Sequence, residues 1–273
     1  METNNKCVYR LGKSFFMILM VAKYSPFYAV KLQIRFRNVS KTPLPPFDYI
    51  VCTTKNCPDI KPALSTVIGP GVTPGHTVIV LIQNGLNIEK PLFEAFPRNV
   101  VLSGISMIDC HEVEQGHIIQ EFPETLILGP FRNPNINLEH EEAAAGAFIT
   151  MYAVAGKTRC LYCEDVPLAR WKKLVFNACF NPICAITGLD VARARLADGA
   201  VEGLLRPAMV EIIATAKALG HMIPEEEQIT SLLNYGATDS YLKPSMQTDA
   251  EKVWISGCMI KEILCLQMTR ETT

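Results

Sequence analysis

A lysine and two asparagines recur at four-residue intervals within a strongly apolar stretch: Lys173, Asn177 and Asn181. At 3.6 residues per turn, this spacing places all three on one face of a helix, with a drift of about 40° per step. Polar side chains among apolar neighbours are costly unless they meet partners or a ligand. The spacing therefore indicates a ligand site, or equally a structural arrangement in which Lys173 reaches solvent and the asparagines cap neighbouring elements.

Three further polar groups stand at the ends of predicted elements. Asn84 lies in a Gln-Asn-Gly turn directly after an apolar run, and Lys55 follows another such run. Ligands of α/β sheets bind beyond the carboxyl ends of the strands, although an ordinary turn explains either group alone. Ser245 follows Lys243-Pro244, where it could donate to a carboxylate or cap a helix.

The elements that would carry these groups alternate between strand and helix in the first half of the chain. Short β-branched runs bounded by turn residues predict strands, and longer segments between them predict helices. The predicted strands are residues 48–54, 77–82 and 100–108, the predicted helices are residues 59–68 and 88–96, and residues 118–122 with 125–128 are predicted to form a hairpin. This order indicates a mostly parallel α/β sheet.

The pattern changes near residue 138 and is helical from there to about residue 235. Residues 167–186 predict a long apolar helix, and residues 207–219 predict another that Gly220 closes. A third helix is predicted to start at Pro224. The expected layout is therefore an α/β domain over residues 1–164 and an all-helical domain over residues 165–273.

Composition excludes several classes of protein. Of 273 residues, 49% are hydrophobic and 19% are charged, so a folded core is expected rather than disorder. The net charge of -1 and the lack of a basic stripe argue against nucleic-acid binding. The 10 cysteines lie mostly in apolar runs, which favours a reducing, cytoplasmic compartment. Cys160 and Cys163 have no second ligand pair at metal-site spacing, so no metal is expected, and Cys110-His111 is predicted to form a surface turn.

The apolar run over residues 15–22 has two interpretations. The basic residues Lys6, Arg10 and Lys13 precede it, as in a signal peptide. A cleavage site of small residues does not follow, and a buried parallel strand has the same apolar composition. A strand is therefore favoured over a signal peptide, and the run is too short to span a bilayer.

Taken in order, six segments of the sequence resemble one family, the ketopantoate reductases (2-dehydropantoate 2-reductases), and most closely its fungal members. The resemblance covers roughly residues 47–252. The segments that carry it are residues 47–55, 83–90, 103–106, 170–181, 206–211 and 243–246. An ordered set of this kind is far more specific than any one of its motifs.

The resemblance implies a Rossmann-type domain that binds NADPH, a helical domain, and an active site in the cleft between them. It implies the reduction of a small 2-oxo acid, 2-dehydropantoate, to pantoate in pantothenate biosynthesis. It predicts no nucleic-acid or membrane partner and is compatible with a homodimer.

The resemblance also assigns roles to individual residues. Lys173 matches the catalytic lysine, whose ammonium group can stabilise the developing oxyanion and supply the proton. The substrate would be bound by Asn177, Asn181 and Ser245, and the cofactor by Asn84 and Lys55.

The sequence departs from the family pattern at both ends. The family opens with a strand and the turn G-x-G-x-x-G, which this sequence does not contain. Gly257 stands where the family carries a substrate-binding glutamate. We therefore expect an incomplete Rossmann-type domain and a truncated helical domain. The alternatives are a working reductase, a catalytically impaired remnant that lacks the glycine-rich cofactor loop, and a secreted or tethered protein if residues 6–22 act as a signal.

Overall fold

The computed structural model of the protein describes residues 8–10, 15–18, 46–59, 61–108, 110–114, 117–120, 124–156, 158–239 and 241–251. The chain divides into two compact units, Met1–Val166 and Pro167–Thr273.

The first unit is built on a seven-stranded sheet. Its strands are β1 Val8–Arg10, β2 Phe15–Ile18, β3 Tyr49–Cys52, β4 Val78–Leu81, β5 Val101–Ser106, β8 Thr125–Pro130 and β9 Arg159–Tyr162. They lie in the order β1-β2-β3-β4-β5-β8-β9 across the sheet. Strands β2 to β5 are parallel neighbours, β1 pairs antiparallel with β2, β8 pairs antiparallel with β5, and β9 runs parallel to β8. The prediction of a mostly parallel α/β sheet is confirmed.

The central strands are apolar on both faces because helices cover the sheet on both sides. Helices α1 (Leu64–Ile68) and α2 (Lys90–Ala95) cover one face, and α3 (Leu138–Ala153) covers the other. The first face buries Ile50, Cys52, Ile79, Leu81 and Val101 against Val67, Ile68 and Leu92. The second face buries Val51, Val80, Leu102, Leu126 and Leu128 against Ala145 and Phe148.

Two of the predicted helices are shorter than expected. The helix predicted over residues 59–68 begins only at Leu64 and continues into a 3-10 turn, Gly69–Gly71, where a break was predicted. The helix predicted over residues 88–96 is α2, which spans six residues. Prolines and glycines around these segments limit the length of regular helix.

The predicted hairpin of residues 118–122 with 125–128 is wrong. Strand β7 (His117–Gln120) pairs instead with β6 (Cys110–Glu114) in a separate two-stranded sheet, and β8 pairs with β5. Cys110 and His111 accordingly lie in a strand, so the predicted surface turn is wrong as well. The apolar sequence of β8 explains its place, since Leu126 and Leu128 are completely buried beside β5.

Strand β9 interrupts the stretch that was predicted to be helical from residue 138 onward. It adds to the edge of the sheet beside β8, and the Arg159 amide donates to the Glu124 carbonyl at 3.0 Å. Four residues are too short for a periodic signal, and pairing with an available sheet edge decides their conformation.

The second unit is helical, as predicted: the structure contains no strand within residues 167–239 and 241–251. Its helices are α4 Val166–Thr187, α5 Val191–Leu196, α6 Arg206–Ala218, α7 Glu225–Leu233 and α8 Ser245–Glu251, with a π-helical turn at Val201–Leu205. The predicted closure of α6 by Gly220 is confirmed. Gly220 has φ 88° and donates to the Lys217 carbonyl at 3.0 Å, and the His221 amide donates to Ala216 at 2.9 Å.

The apolar run near the start of the chain contributes a strand at residues 15–18, parallel to β3. The strand interpretation is confirmed for these four residues, and residues 19–22 lie outside the described part of the chain. No helix among the described residues is both long enough and apolar enough to cross a bilayer.

Three cysteines are core residues, and their chemistry gives a direct check of the packing. Cys52, Cys179 and Cys184 are buried, and burial raises the pKa of each thiol to about 12. Their thiolate fraction at pH 8 is then about 10³-fold below that of an ordinary thiol. We expect iodoacetamide at pH 8 to modify the exposed Cys110 while these three stay unmodified until the protein unfolds, as read by peptide mass spectrometry. Modification of all four at similar rates in the folded protein would contradict this packing.

Candidate functional site

The loops that follow β3 and β4 are tied together at the carboxyl edge of the sheet. Gln83 is 5% exposed, and its Nε2 donates to both the carbonyl and the Oγ1 of Thr54 at 2.8 Å. The Ile82 amide extends the strand pairing by donating to the Cys52 carbonyl at 2.9 Å. The loops after β3 and β4 therefore lie next to each other at the carboxyl edge of the sheet, as the parallel arrangement of the strands predicts.

The turn at Asn84-Gly85 requires glycine. Gly85 has φ 126°, and a Cβ there would lie 2.7 Å from Cγ2 of Ile88 and 3.4 Å from Nδ2 of Asn56. Asn87 also has a left-handed backbone, with φ 55°. Such a turn bends the chain sharply and leaves the Asn84 side chain exposed.

Lys55 and Asn84, the two predicted cofactor-binding residues, are exposed at this edge of the sheet. They belong to the adjacent loops after β3 and β4. A cation and an amide at the carboxyl ends of parallel strands can bind a polar or anionic ligand by charge and hydrogen bonds.

A buried carboxyl group holds the far end of the Asn84 loop. Glu89 is fully buried, at 0% exposure, and Ser103 on β5 donates its Oγ–H to Glu89 Oε1 at 2.5 Å. The Glu89 carbonyl accepts from the Leu92 amide at 2.9 Å at the start of α2. Sequence reasoning did not single out Glu89, Gln83 or Ser103, although each lies in a segment that carried the family resemblance.

Helix α4 carries the predicted stripe on one continuous helix. Lys173 and Asn177 are half-buried, and Asn181 is 1% exposed. Val175 and Phe180 on the same helix are completely buried, so the stripe lies next to the core of this unit. Pro182 lies inside α4 and has no N–H, so the helical bond to the carbonyl four residues earlier is missing directly beside Asn181.

Arg170 is a fourth polar residue on this face of α4. It is 5% exposed and precedes Asn177 by seven residues and Asn181 by eleven, so it lies within about 20° of both around the helix axis. Sequence reasoning did not include it in the stripe. The signal was present in the spacing, because positions i, i+7 and i+11 share one helix face.

Ser245 is the first residue of α8, and its side chain is exposed. Pro244 occupies the position before the helix, so Ser245 is not its N-cap. Lys243 Nζ contacts both carboxylate oxygens of Glu251 at 2.9 Å, and buried Gln247 donates to the Gly188 carbonyl at 3.0 Å. The Gln247 bond connects α8 to the turn that follows α4, and the Lys243–Glu251 pair joins the segment before α8 to its last residue.

The described side chains include no cluster of three or more His, Cys, Asp or Glu residues arranged to hold a metal ion.

The residues predicted to bind cofactor or substrate fall into two groups, one on each unit. Lys55 and Asn84 lie on the first unit, and Lys173, Asn177, Asn181 and Ser245 lie on the second.

Two models of one protein family match successive parts of the chain. Residues 26–133 match the model described as ketopantoate reductase PanE/ApbA, and residues 165–255 match the model of its C-terminal region. The chain belongs to the ketopantoate reductase family. The matched ranges contain both groups of predicted residues, and the family is one of oxidoreductases.

The chain is also similar to individual proteins over much of its length. The chain is 35% identical over 232 residues to an uncharacterized protein from Saccharomyces cerevisiae, with 76% of this chain and 62% of the relative covered. The crystal structure of 2-dehydropantoate 2-reductase from Methylococcus capsulatus matches with a TM-score of 0.64 and 27% identity, covering 83% of this chain and 70% of that one.

A third match concerns the fold alone. D-mandelate dehydrogenase, solved with NADH and anilino(oxo)acetate, has a TM-score of 0.65 at 16% identity, with 79% of this chain and 69% of that one covered. A Rossmann-type domain followed by a helical domain is thus the architecture of this chain. The chain spans less than two thirds of the length of the yeast relative, at 62%.

Proposed function

We propose that this ketopantoate reductase family member reduces 2-dehydropantoate to pantoate with NADPH. The observation that carries the proposal is the polar stripe of α4, in which a half-buried ammonium group lies one and two turns before two amides on a largely apolar helix. Such a group at a reacting carbonyl can act as both acid and electrostatic stabiliser.

In this proposal Lys173 supplies the proton. The Lys173 ammonium group donates to the keto oxygen of the substrate and transfers its proton there as negative charge develops. When bound, a reduced nicotinamide supplies the hydride that converts the keto carbon to a secondary alcohol. Half-burial strengthens the electrostatic effect of Lys173, because the effective dielectric near the core is lower than in water.

Asn177, Asn181 and Ser245 bind the substrate in this proposal. Amides and hydroxyls offer donors and acceptors to a carboxylate or hydroxyl group and transfer no proton. Asn181 is the most enclosed of the three, at 1% exposure, and it follows Lys173 by two helical turns. The Cα of Asn181 lies about 12 Å along the helix from the Cα of Lys173.

The residues present fit one end of a nicotinamide cofactor. Asn84 on its glycine turn and Lys55 are exposed at the carboxyl edge of the parallel strands, where such cofactors bind. The pyrophosphate normally lies on the amides of a glycine-rich turn at a helix N-terminus. The sequence does not contain the G-x-G-x-x-G motif that forms such a turn.

We therefore expect this chain to bind NADPH weakly. Without the glycine turn, the charge of the pyrophosphate loses its main partners, and the remaining contacts come from the nicotinamide end. Isothermal titration calorimetry with NADPH measures the affinity directly. A dissociation constant in the low micromolar range or tighter would contradict this expectation and reveal another phosphate site.

Turnover is the test of the proposed function. NADPH oxidation should depend on added 2-dehydropantoate when the cofactor is supplied well above its dissociation constant, and pantoate should form in equal amount. A chain that binds cofactor and substrate but forms no pantoate would instead be a catalytically impaired member of the family.

A further inference from the structure

The segment that carries Asn84 runs between two buried polar anchors. At its start, Gln83 is 5% exposed and donates twice to Thr54 on the neighbouring loop. At its end, Glu89 is 0% exposed and accepts from Ser103 on the next strand. We call these two hydrogen-bonded pairs, Gln83 with Thr54 and Glu89 with Ser103, the clamp.

Burying the polar groups of the clamp costs free energy that apolar side chains would not cost. A buried amide and a buried carboxyl group lose their hydration and regain only what their protein partners offer. Apolar side chains of similar size would fill the same volume without that cost. Buried polar pairs, however, accept only one geometry, so they define the position of the backbone more sharply than apolar packing does.

The segment between the anchors has little room to adjust. Gly85 already holds φ 126°, and its Cα faces Ile88 and Asn56 so closely that even a methyl group would not fit. A shift at Gln83 would therefore move the Asn84 turn against the Thr54–Asn56 loop. The Gln83–Thr54 pair of the clamp thus connects the two loops, because Gln83 is adjacent to Asn84 and Thr54 is adjacent to Lys55.

We propose that Gln83 is a positioning residue: through its two hydrogen bonds to Thr54 it holds Asn84 and Lys55 at the separation that binds the nicotinamide end of the cofactor. This inference rests on the proposed function. Gln83 itself touches neither cofactor nor substrate. Displacements of about 1 Å in such groups reduce rates by about 10²-fold, so a device that fixes them has a large effect.

Two variants weaken the Gln83–Thr54 pair of the clamp to different extents. Gln83→Met keeps the length of the side chain and removes both hydrogen bonds. Thr54→Val keeps the β-branched shape and removes only the Oγ1 acceptor, so it is the milder change and keeps the test available if Gln83→Met fails to fold. Gln228→Met is the matched control, because half-buried Gln228 makes one side-chain bond, to the Lys172 carbonyl at 3.3 Å, in the second unit.

The first measurement is amide hydrogen exchange of the full chain without ligand. We expect exchange at residues 84–88 to become about tenfold faster in Gln83→Met, and less so in Thr54→Val. Strands β3 and β4 should keep their protection in both, and Gln228→Met should leave the loop unchanged. Unchanged exchange at residues 84–88 in a folded Gln83→Met or Thr54→Val protein would overturn the proposal.

The second measurement uses reduced nicotinamide mononucleotide, which lacks the rest of the dinucleotide, as the probe. Its affinity by NMR titration should fall about tenfold in Gln83→Met and change little in Gln228→Met. Equal affinity for the probe in Gln83→Met and the unaltered chain would also overturn the proposal. If the unaltered chain binds the probe but forms no pantoate, the proposed function is wrong. The hydrogen-exchange and affinity measurements then still test whether Gln83 positions Asn84 and Lys55.

Discussion

Replacement of Lys173 by alanine is expected to lower the turnover number for reduction of a 2-oxo acid by about 10²–10⁴-fold, the usual effect of losing a positioned acid. Alanine keeps the helix, since it has the highest helix propensity, and removes only the ammonium group. The measurement is the rate of NADPH oxidation at saturating 2-dehydropantoate. If the turnover of this chain is too low to follow, the same comparison is made in a version given a G-x-G-x-x-G unit and the family's C-terminal glutamate.

The neighbouring residue Lys172 is the internal control. It lies about 100° around the helix from Lys173, so its side chain points away from the stripe. Gln228 bonds to the carbonyl of Lys172, which Lys172→Ala retains. Lys172→Ala should therefore change the turnover number very little. If the two alanine variants behaved alike, the proposed register of the polar stripe on α4, and with it the roles proposed for Asn177 and Asn181, would be wrong.

A second variant on α4 separates binding from proton transfer. Asn181→Ala should raise KM more than it lowers kcat, because an amide contributes hydrogen bonds to the substrate and no proton. Its burial, at 1% exposure, also predicts some loss of stability, so the melting temperature is measured alongside. A fall in kcat as large as that of Lys173→Ala, with KM unchanged, would count against the proposed division of roles.

Replacement of Gly129 by alanine is expected to destabilise the first unit by about 3 kcal/mol or more, because no side chain fits at this position. Gly129 lies on β8, and a Cβ there would overlap the carbonyl oxygen of Cys163 and lie 2.9 Å from Val166 Cγ2. The Cys163 amide is itself bonded to the Leu128 carbonyl at 2.9 Å, so the chain cannot withdraw without breaking the β8–β9 pairing. Thermal unfolding should show a melting temperature lower by roughly 6–12 °C.

Gly146→Ala is the matched control within the same unit. Gly146 is an exposed residue inside α3, and a Cβ there meets no heavy atom within 4 Å. Alanine in a helix interior is more stable than glycine by about 0.5–1 kcal/mol, so this variant should melt slightly higher than the unaltered chain. If Gly129→Ala melted as high as Gly146→Ala, Cys163 would not approach β8 as closely as described.

The local pattern of the sequence was sufficient to predict the type of the elements with strong periodicity. Strands β3 and β4 are short β-branched runs buried on both faces, and α4 is a long apolar helix, so their residues alone specify their type. The polar stripe of α4 was readable for the same reason, because helical geometry follows from spacing alone. The family was also readable, because its motifs stand in order along the chain.

Only the tertiary structure decided which strands pair. β8 could have completed a hairpin with the strand before it in sequence, but it pairs with β5, and β7 pairs with β6. β9 is a strand because the edge of β8 is open to it. Pairing of this kind depends on competition between distant segments for buried surface, which no local window of residues contains.

The partners of the buried polar residues were likewise decided by tertiary structure. Gln83 and Glu89 stand in the sequence as ordinary polar residues of a turn, and only the fold places Thr54 and Ser103 within 2.8 Å and 2.5 Å of them. The sequence by itself determined the family, the helix with its Lys173 stripe and the glycine turn at Asn84, since each depends on residues close together in the chain. The burial that turns Gln83 and Glu89 into a clamp arises from segments 14 and 29 residues apart, and it exists only once the sheet has formed.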